Sequence, residues 1–335
     1  MLKQKNPGVL LISLLGVLAA GPGCAGDFQD DAEVQVFITS MVKQHQFNRQ
    51  KLETLFSQAK KRDDILEAIA RPAEKTKPWY EYRKIFVKPK RIAGGVKFWK
   101  ENVDILKRAA QQYGVDPAII VAIIGVETRY GANTGSYRVI DSLSTLAFAY
   151  PPRSKFFRSE LEQFLILARE EDVDAHTVKG SYAGAMGYGQ FIPSSYRNYA
   201  VDFNGDGKRN LWNSLDDIIG SVANYFHSHG WQAGEPVADK VTSTAPIKTT
   251  QISEKLKPGK KTAGDFAKQG ITSTPPLAND QPVALLKLEQ KDGPEYWLTS
   301  NNFYVITRYN RSPLYSMAVY QLSEAIRDAY QHSRP

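Results

Sequence analysis

Apolar residues in the first third of the chain recur at helical spacing. Val34, Phe37, Ile38 and Met41 share one face, Leu52, Leu55 and Phe56 follow the candidate cap Asn48, and Leu66, Ile69 and Ala70 follow Asp63. The pattern predicts short packed helices from Asp31 to Pro72. Phe98, Val103, Leu106 and Ala110 form the stripe of a second helical stretch, Arg91 to Tyr113. Between Ala118 and Val126 the pattern changes, with apolar residues on every side, so that helix is buried rather than amphipathic. Asp116 suits its N-cap, Pro117 its first turn and Gly131 its C-terminal stop.

Arg129, Tyr130, Arg138, Asp141 and Ser142 fall in a loop before the apolar helix L-S-T-L-A-F-A-Y, which Pro151 and Pro152 end. Arg153 to Arg169 begins another helix, with Phe157, Leu161, Phe164 and Leu165 on one face. Ser194 to Tyr199 and Leu215 to Phe226 read as helices around an acidic loop. From Glu235 to Asp280 the composition turns to Lys, Thr, Ser, Pro and Gly, with short alternating segments such as Val241 to Thr250. Val283 to Glu289, Glu295 to Thr299 and Phe303 to Arg308 read as strands, the first two joined by the turn K-D-G-P. Ser312 then caps a last helix with Pro313 in its first turn and Met317, Val319, Leu322 and Ile326 inward. The predicted class is α+β, predominantly α, with a small antiparallel β lobe and no internal repeat.

The N-terminus bears on compartment. Lys3 and Lys5 precede an apolar run from Val9 to Ala20, too short to span a bilayer and shaped like the core of a signal peptide. The single cysteine, Cys24, follows at once, which suggests cleavage before it and lipidation. Ala25 after the cysteine leans towards the outer membrane; the alternative is ordinary cleavage and a soluble periplasmic protein. One cysteine excludes an intramolecular disulfide framework. The net charge of +8 drops to about +6 once the two leader lysines leave, which fits an acidic polymer as partner. No basic helix or stripe marks a nucleic-acid binder.

Candidate chemistry centres on Glu127, the one carboxylate in the apolar helix. Burial and the negative end of the helix dipole both disfavour its anion, which makes it a candidate proton donor. The same position suits a structural Glu paired with Arg129 or another arginine, and the helix alone does not decide between them. The aromatic and charged run K-P-W-Y-E-Y-R-K carries Tyr80 and Tyr82, residues suited to stacking on sugars and equally to ordinary packing. K-G-S-Y-A-G-A-M-G-Y-G-Q-F-I-P-S-S-Y, Lys179 to Tyr196, offers close-approach glycine backbone with Ser181, Tyr188, Gln190 and Phe191 among it, a wall for an extended hydroxyl-rich ligand. D-F-N-G-D-G-K places oxygen donors on Asp202, Asn204 and Asp206, with the Lys208 carbonyl at position seven, as in a Ca²⁺ loop; Asn213 stands at position twelve, where glutamate is usual. The competing reading of that loop is an Asx-rich turn. His227 and His229 lack a third zinc ligand nearby.

G-V-E-T-R-Y-G together with G-S-Y-A-G-A-M-G-Y-G-Q-F-I-P-S-S-Y resembles the lytic murein transglycosylase B family, lysozyme-like enzymes that cut peptidoglycan strands, and the similarity runs from about residue 31 to 331. The resemblance implies a lysozyme-like core at 81–234 containing the 202–216 loop, after a leader at 1–23 and a helical segment at 24–80. A loop-rich and β lobe at 235–308 and a returning helix at 309–335 complete it. Glu127 matches the catalytic acid and Ser181 a hydroxyl beside it, while Tyr82, Arg153, Gln190, Tyr309, Asn310 and Tyr315 match cleft positions. Phe156 and Pro152 stand where some relatives carry tyrosine and arginine. Closing the metal loop on Asp216 would restore its missing carboxylate. The activity implied is non-hydrolytic cleavage between N-acetylmuramic acid and N-acetylglucosamine, ending in a 1,6-anhydromuramyl ring, with structural Ca²⁺ and no organic cofactor. A hydrolytic muramidase would need a second carboxylate, for which Asp141 is the nearest acidic residue after the helix; a silent wall-binding scaffold would need none. Protein partners, stem preference and exo or endo action are not legible.

Overall fold

A computed structural model describes residues 27–70 and 77–333, so the leader, Cys24 and the Pro72 boundary lie outside the described residues. The chain opens with α1 (Ala32–His45), α2 (Arg49–Ser57) and α3 (Asp63–Ala70). Asp31 and Asn48 cap the first two through side-chain oxygens. Then follow α4 (Trp79–Phe86), α5 (Pro89–Glu101), α6 (Val103–Tyr113), α7 (Pro117–Thr128), β1 (Tyr137–Arg138), α8 (Val139–Phe148) and α9 (Ser154–Glu170). The second half holds β2 (Lys179–Gly180), α10 (Pro193–Tyr199), α11 (Leu215–Ser228), β3 (Ala238–Ser243), α12 (Ala263–Ala267), β4 (Ile271–Ser273), β5 (Ala284–Gln290), β6 (Gly293–Thr299), α13 (Asn301–Tyr309) and α14 (Pro313–His332).

The all-apolar helix α7 is the centre of the largest core. Ala118 to Val126 are buried, and α5, α6, α11 and α14 pack around them. Each of the buried isoleucines there contributes about 1.5–3 kcal/mol relative to exposure. Tyr315 meets the end of α7 and Arg327 pairs with Asp116 at its start (2.8 Å), so α14 runs antiparallel to α7. That arrangement brings the N-terminus of α14 to the C-terminus of α7.

The small sheet has strand order β4-β3-β6-β5, antiparallel throughout. Lys291 and Asp292 turn the β5–β6 hairpin, and Gly293 at φ 118° supplies a conformation that side chains disfavour. Leu286 and Leu288 cluster with Trp79, Tyr82, Phe303 and Met317, which fastens the sheet to α4, α13 and α14. Leu285 and Leu298 pack with Phe266 and Ile271 in a separate cluster.

Four expectations change. Phe303 to Arg308 is helical, part of α13, because the Ser300 side chain caps it by accepting the Asn302 N–H; β-branched and aromatic content misled the strand reading. Asp141 and Ser142 lie in the first turns of α8, whose residues Val139 to Ala147 are all buried, so two polar residues that suggest a loop are packed inward. The Arg91–Tyr113 stretch divides at Asn102 into α5 and α6, and Val103 is 39% exposed rather than inward. α7 ends at Thr128 with Arg129 as its left-handed cap, two residues before Gly131.

Candidate active site

Glu127 occupies the last turn of α7, half-buried where its neighbours are fully buried. The hydroxyl of Tyr315, 3% exposed in the first turn of α14, donates to Glu127 Oε1. Ser312 caps that turn by accepting the Tyr315 N–H (3.3 Å), while Asn310 Oδ1 accepts the Ser312 N–H (3.0 Å). The Tyr315 phenol is held well above its usual pKa, first by burial and then by the Glu127 charge, with Tyr309 and Tyr82 adding to the shift. It therefore stays a donor. Tyr309 shows the same elevation from burial and Glu127; its hydroxyl donates to Gly189 O (2.5 Å), and its ring packs on Tyr225 and Phe226. Tyr82 is 2% exposed in the α4 cluster, so the structure gathers Glu127 with three tyrosines.

The end of α7 is not the bare negative pole the sequence implies. Arg91 Nη1 donates to the carbonyls of Gly125 (2.8 Å) and Val126 (3.3 Å), and the positive N-terminus of α14 lies at the same place. Beyond Thr128 three residues run in the left-handed region, Arg129 (φ 54°), Tyr130 (φ 62°) and Gly131 (φ 88°). Such backbone in two consecutive non-glycine residues is strained and needs packing to hold it. Tyr130 supplies it: its hydroxyl donates to Arg91 O (2.7 Å), and its ring fills a slot where a Cβ on Gly94, Gly95 or Gly125 would approach it to 2.8 Å or less. Arg129 is exposed, and its charge is not sunk in the core with Glu127.

The glycine-rich loop forms the facing wall. Buried Thr128 donates to Tyr188 O (2.9 Å), and the Tyr188 ring lies where a side chain on Gly131 would stand. Gly135 meets the Gly180 backbone at the β1–β2 pair. Ser181 Oγ accepts the N–H groups of Ala183 (3.2 Å) and Ala185 (3.0 Å), which uses both acceptor lone pairs and leaves its O–H as a donor. Gln190 spends its amide N–H groups on Thr134 O (3.1 Å) and Gly187 O (3.0 Å), so its carbonyl oxygen is the part open to a ligand. Arg153 belongs to the short turn before α9, its guanidinium 4.4 Å over the Phe156 ring, rather than to the tyrosine group.

The acidic loop between α10 and α11 is tightly turned. Asp202 accepts the N–H groups of Gly205, Asp206 and Gly207, and Asp206 accepts that of Lys208. Gly205 and Gly207 take φ of 79° and 86°. Asp202, Asn204, Asp206 and the Lys208 carbonyl remain an all-oxygen donor set at alternate positions, chemically suited to Ca²⁺. Asp216 turns instead to Arg108, with which it forms an ion pair, and no cluster of three His, Cys, Asp or Glu is assembled among the described residues. Asp217, fully buried, anchors the loop by accepting the N–H groups of Phe203 and Asn210 (both 2.8 Å).

Residues 29–324 match the transglycosylase SLT domain. The chain belongs to this family. It is 48% identical over 310 residues to membrane-bound lytic murein transglycosylase B of Escherichia coli, covering 90% of this chain and 84% of that one. The soluble lytic transglycosylase SltB1 of Pseudomonas aeruginosa superposes with a TM-score of 0.84 at 48% identity, over 89% of this chain and 99% of that one. The Escherichia coli lytic transglycosylase Slt35, solved in complex with calcium, gives 0.83 at 46% identity, over 92% and 96%. The lysozyme-like fold implied by the two motifs is thus the fold of this SLT-family chain. Arg91, Thr128 and Asp217 are the site-building residues the sequence reading passed over. The pair Gly94-Gly95 with Gly125 was the available signal for the Tyr130 slot.

Proposed function

We propose that the protein is a peptidoglycan lytic transglycosylase in which Glu127 is the single acid and base. As a carboxylic acid it protonates the glycosidic oxygen between N-acetylmuramic acid and N-acetylglucosamine, and the C1–O bond breaks. As a carboxylate it then takes the proton of the muramyl C6 hydroxyl, whose oxygen bonds to C1 and closes the 1,6-anhydro ring. Protons balance, Glu127 ends as it began, and no water is consumed. Tyr315 orients the carboxyl group, and the Ser181 hydroxyl and Gln190 carbonyl serve as polar contacts for the sugar, with Tyr188, Tyr309 and Asn310 along the cleft. The observation that carries this reading is the lone carboxyl at the α7 end gripped by a buried tyrosine. The hydrolytic rival loses the first carboxylate after the helix, because Asp141 is 3% exposed, chelated by Arg138 (2.7 and 2.8 Å) and bonded to the Lys60 N–H. Mass analysis of digested sacculi tests the chemistry: anhydromuramyl ends, lighter by one water than reducing ends, are expected, and reducing ends would establish hydrolysis instead.

Ca²⁺ belongs to the same proposal, held by Asp202, Asn204, Asp206 and the Lys208 carbonyl, with Asp216 as a fifth donor once released from Arg108. Its role is to brace the loop. A ligand bound only by the folded state adds about 2.7 kcal/mol at a hundredfold excess over its Kd. Melting the chelated protein with and without millimolar Ca²⁺ should therefore raise the midpoint by several degrees; an unchanged midpoint favours the plain Asx turn.

We place the protein at the periplasmic face of the outer membrane, anchored through lipid on Cys24. Both membrane-bound and soluble relatives exist, so the cysteine decides. Cys24→Ala is expected to move the protein from the membrane to the soluble fraction, and a wild type already soluble would remove the anchor.

A further inference from the structure

A groove of about 640 Å³ opens between α4, the β5–β6 hairpin and α14. It uses the face of α4 that carries Tyr80, Arg83 and Lys84, whereas Trp79 and Tyr82 on the other face are buried. Its walls add Trp297, Tyr320 and Lys291. The charge is unbalanced. Arg83 donates to the neutral Gln321, and among the described residues Arg83, Lys84 and Lys291 form no ion pair with a carboxylate. Both acids of the groove are already paired: Glu295 accepts from Trp79 Nε1 (2.9 Å) and pairs with Lys240, a fourth cation of the groove wall (3.6 Å), and Glu324 pairs with Arg327. Trp297 offers the groove its ring, since its Nε1 is shielded from solvent. Three cations outside ion pairs and three aromatic rings make a site for an elongated anion with apolar stretches.

We infer that this groove is a second wall-binding site that takes the carboxylate-bearing peptide stem of a glycan strand, an inference that rests on peptidoglycan being the substrate. A stem carries several carboxylates along an extended chain, which matches cations contributed by both α4 and the hairpin. A flat lipid headgroup layer would meet the exposed lysines but would not follow the groove inward to the rings of Trp297 and Tyr320. Through α4 and α14, which also carry Tyr82 and Tyr315, stem binding would hold a strand near the cleft without occupying it.

The test uses the full chain carrying Glu127→Gln, so that sacculi are bound and not consumed. Adding Lys84→Glu and Lys291→Glu should weaken binding to purified sacculi by about tenfold or more. The neutral pair Lys84→Gln and Lys291→Gln should lose less, in the same direction, and it covers the case in which charge reversal disturbs folding. Amidating the sacculus carboxyls should weaken the parent by a similar factor and leave the Lys84→Glu, Lys291→Glu protein little changed. Undiminished binding by both lysine pairs, or parent binding indifferent to amidation, would overturn the site. So would a loss confined to anionic phospholipid vesicles, or one equally large on glycan strands stripped of their stems. Products are assayed separately with intact Glu127, so a failure to find anhydromuramyl ends would reject the catalytic reading and leave the binding result standing.

Discussion

Glu127→Gln should lower the release of muropeptides from sacculi by about 10⁴-fold or more. Positioned acid–base catalysis by one group is worth about 10²–10⁴-fold, and in this mechanism the same carboxyl serves first as acid and then as base. The substitution isolates that role. Glutamine has the size of glutamate, its carbonyl oxygen can still accept the Tyr315 O–H, and the capping of α7 by Arg91 is made to backbone and is untouched. The variant should therefore melt within about a degree or two of wild type, since a neutral amide suits a half-buried position as well as the acid does. Release of soluble muropeptides against time, at matched protein concentration, provides the comparison. Wild-type rates in the Gln variant would reduce α7 to a core helix with one polar residue at its end.

Several parts of this site were legible because local chemistry and global packing agree there. Asp116, Pro117 and the apolar run to Val126 announced a buried helix, and the structure buries that run with Asp116 as the cap. Ser312 and Pro313 announced α14 in the same way, and Ser312 does cap it. The glycines between Gly180 and Gly189 announced close backbone approach, realised against Thr128, Gly131 and Gly135. What could not be read was long-range. That α14 runs back along α7 so that Tyr315 reaches Glu127 is a contact across 188 residues, and nothing in the local pattern of either helix specifies it. Tyr315 and Tyr309 entered only through family resemblance.

Each misreading has a physical cause. α8 is buried from Val139 to Ala147, so its polar residues Asp141 and Ser142 sit inward and resemble loop residues in the sequence. In α13 the run F-Y-V-I-T favours strand by composition, while the i,i+3 spacing of Asn302 with Val305 and of Phe303 with Ile306, together with the Ser300 cap, argues for helix. An isolated α7 terminus would face Glu127 with a bare negative pole. Arg91, 36 positions earlier in the chain, supplies the charge that the isolated helix lacked. Tyr130 was read as a loop residue, yet its ring closes a slot between α5 and α7 and holds the left-handed turn that follows Glu127.

Asp217→Ala should destabilise the fold by about 2–4 kcal/mol, because it leaves two part-buried backbone N–H groups without their acceptor at about 1 kcal/mol or more each, together with the space of the lost buried side chain. In sequence, Asp217 is hidden beside Asp216, which the metal-loop pattern made the more attractive of the two. The structure reverses their weights: Asp216 is partly exposed and paired with Arg108, whereas Asp217 is fully buried and holds Phe203 and Asn210 with its two oxygens. Phe203 adjoins Asp202, and Asn210 lies two residues past Lys208, so this one carboxylate sets the spacing across which the proposed Ca²⁺ donors must converge. Asp217→Asn keeps one acceptor and turns an NH₂ group towards the other N–H, so it should fall between alanine and wild type. Thermal or urea melts of both variants, in chelator and in millimolar Ca²⁺, give two readings at once. Stability should fall in chelator, and the Ca²⁺-induced rise in midpoint should shrink with it, since a loop that has lost its spacing binds the ion less well. A stable alanine variant would mean the loop is held by Asp202 and its own turns. An unstable variant with an undiminished Ca²⁺ shift would separate the ion site from the anchor.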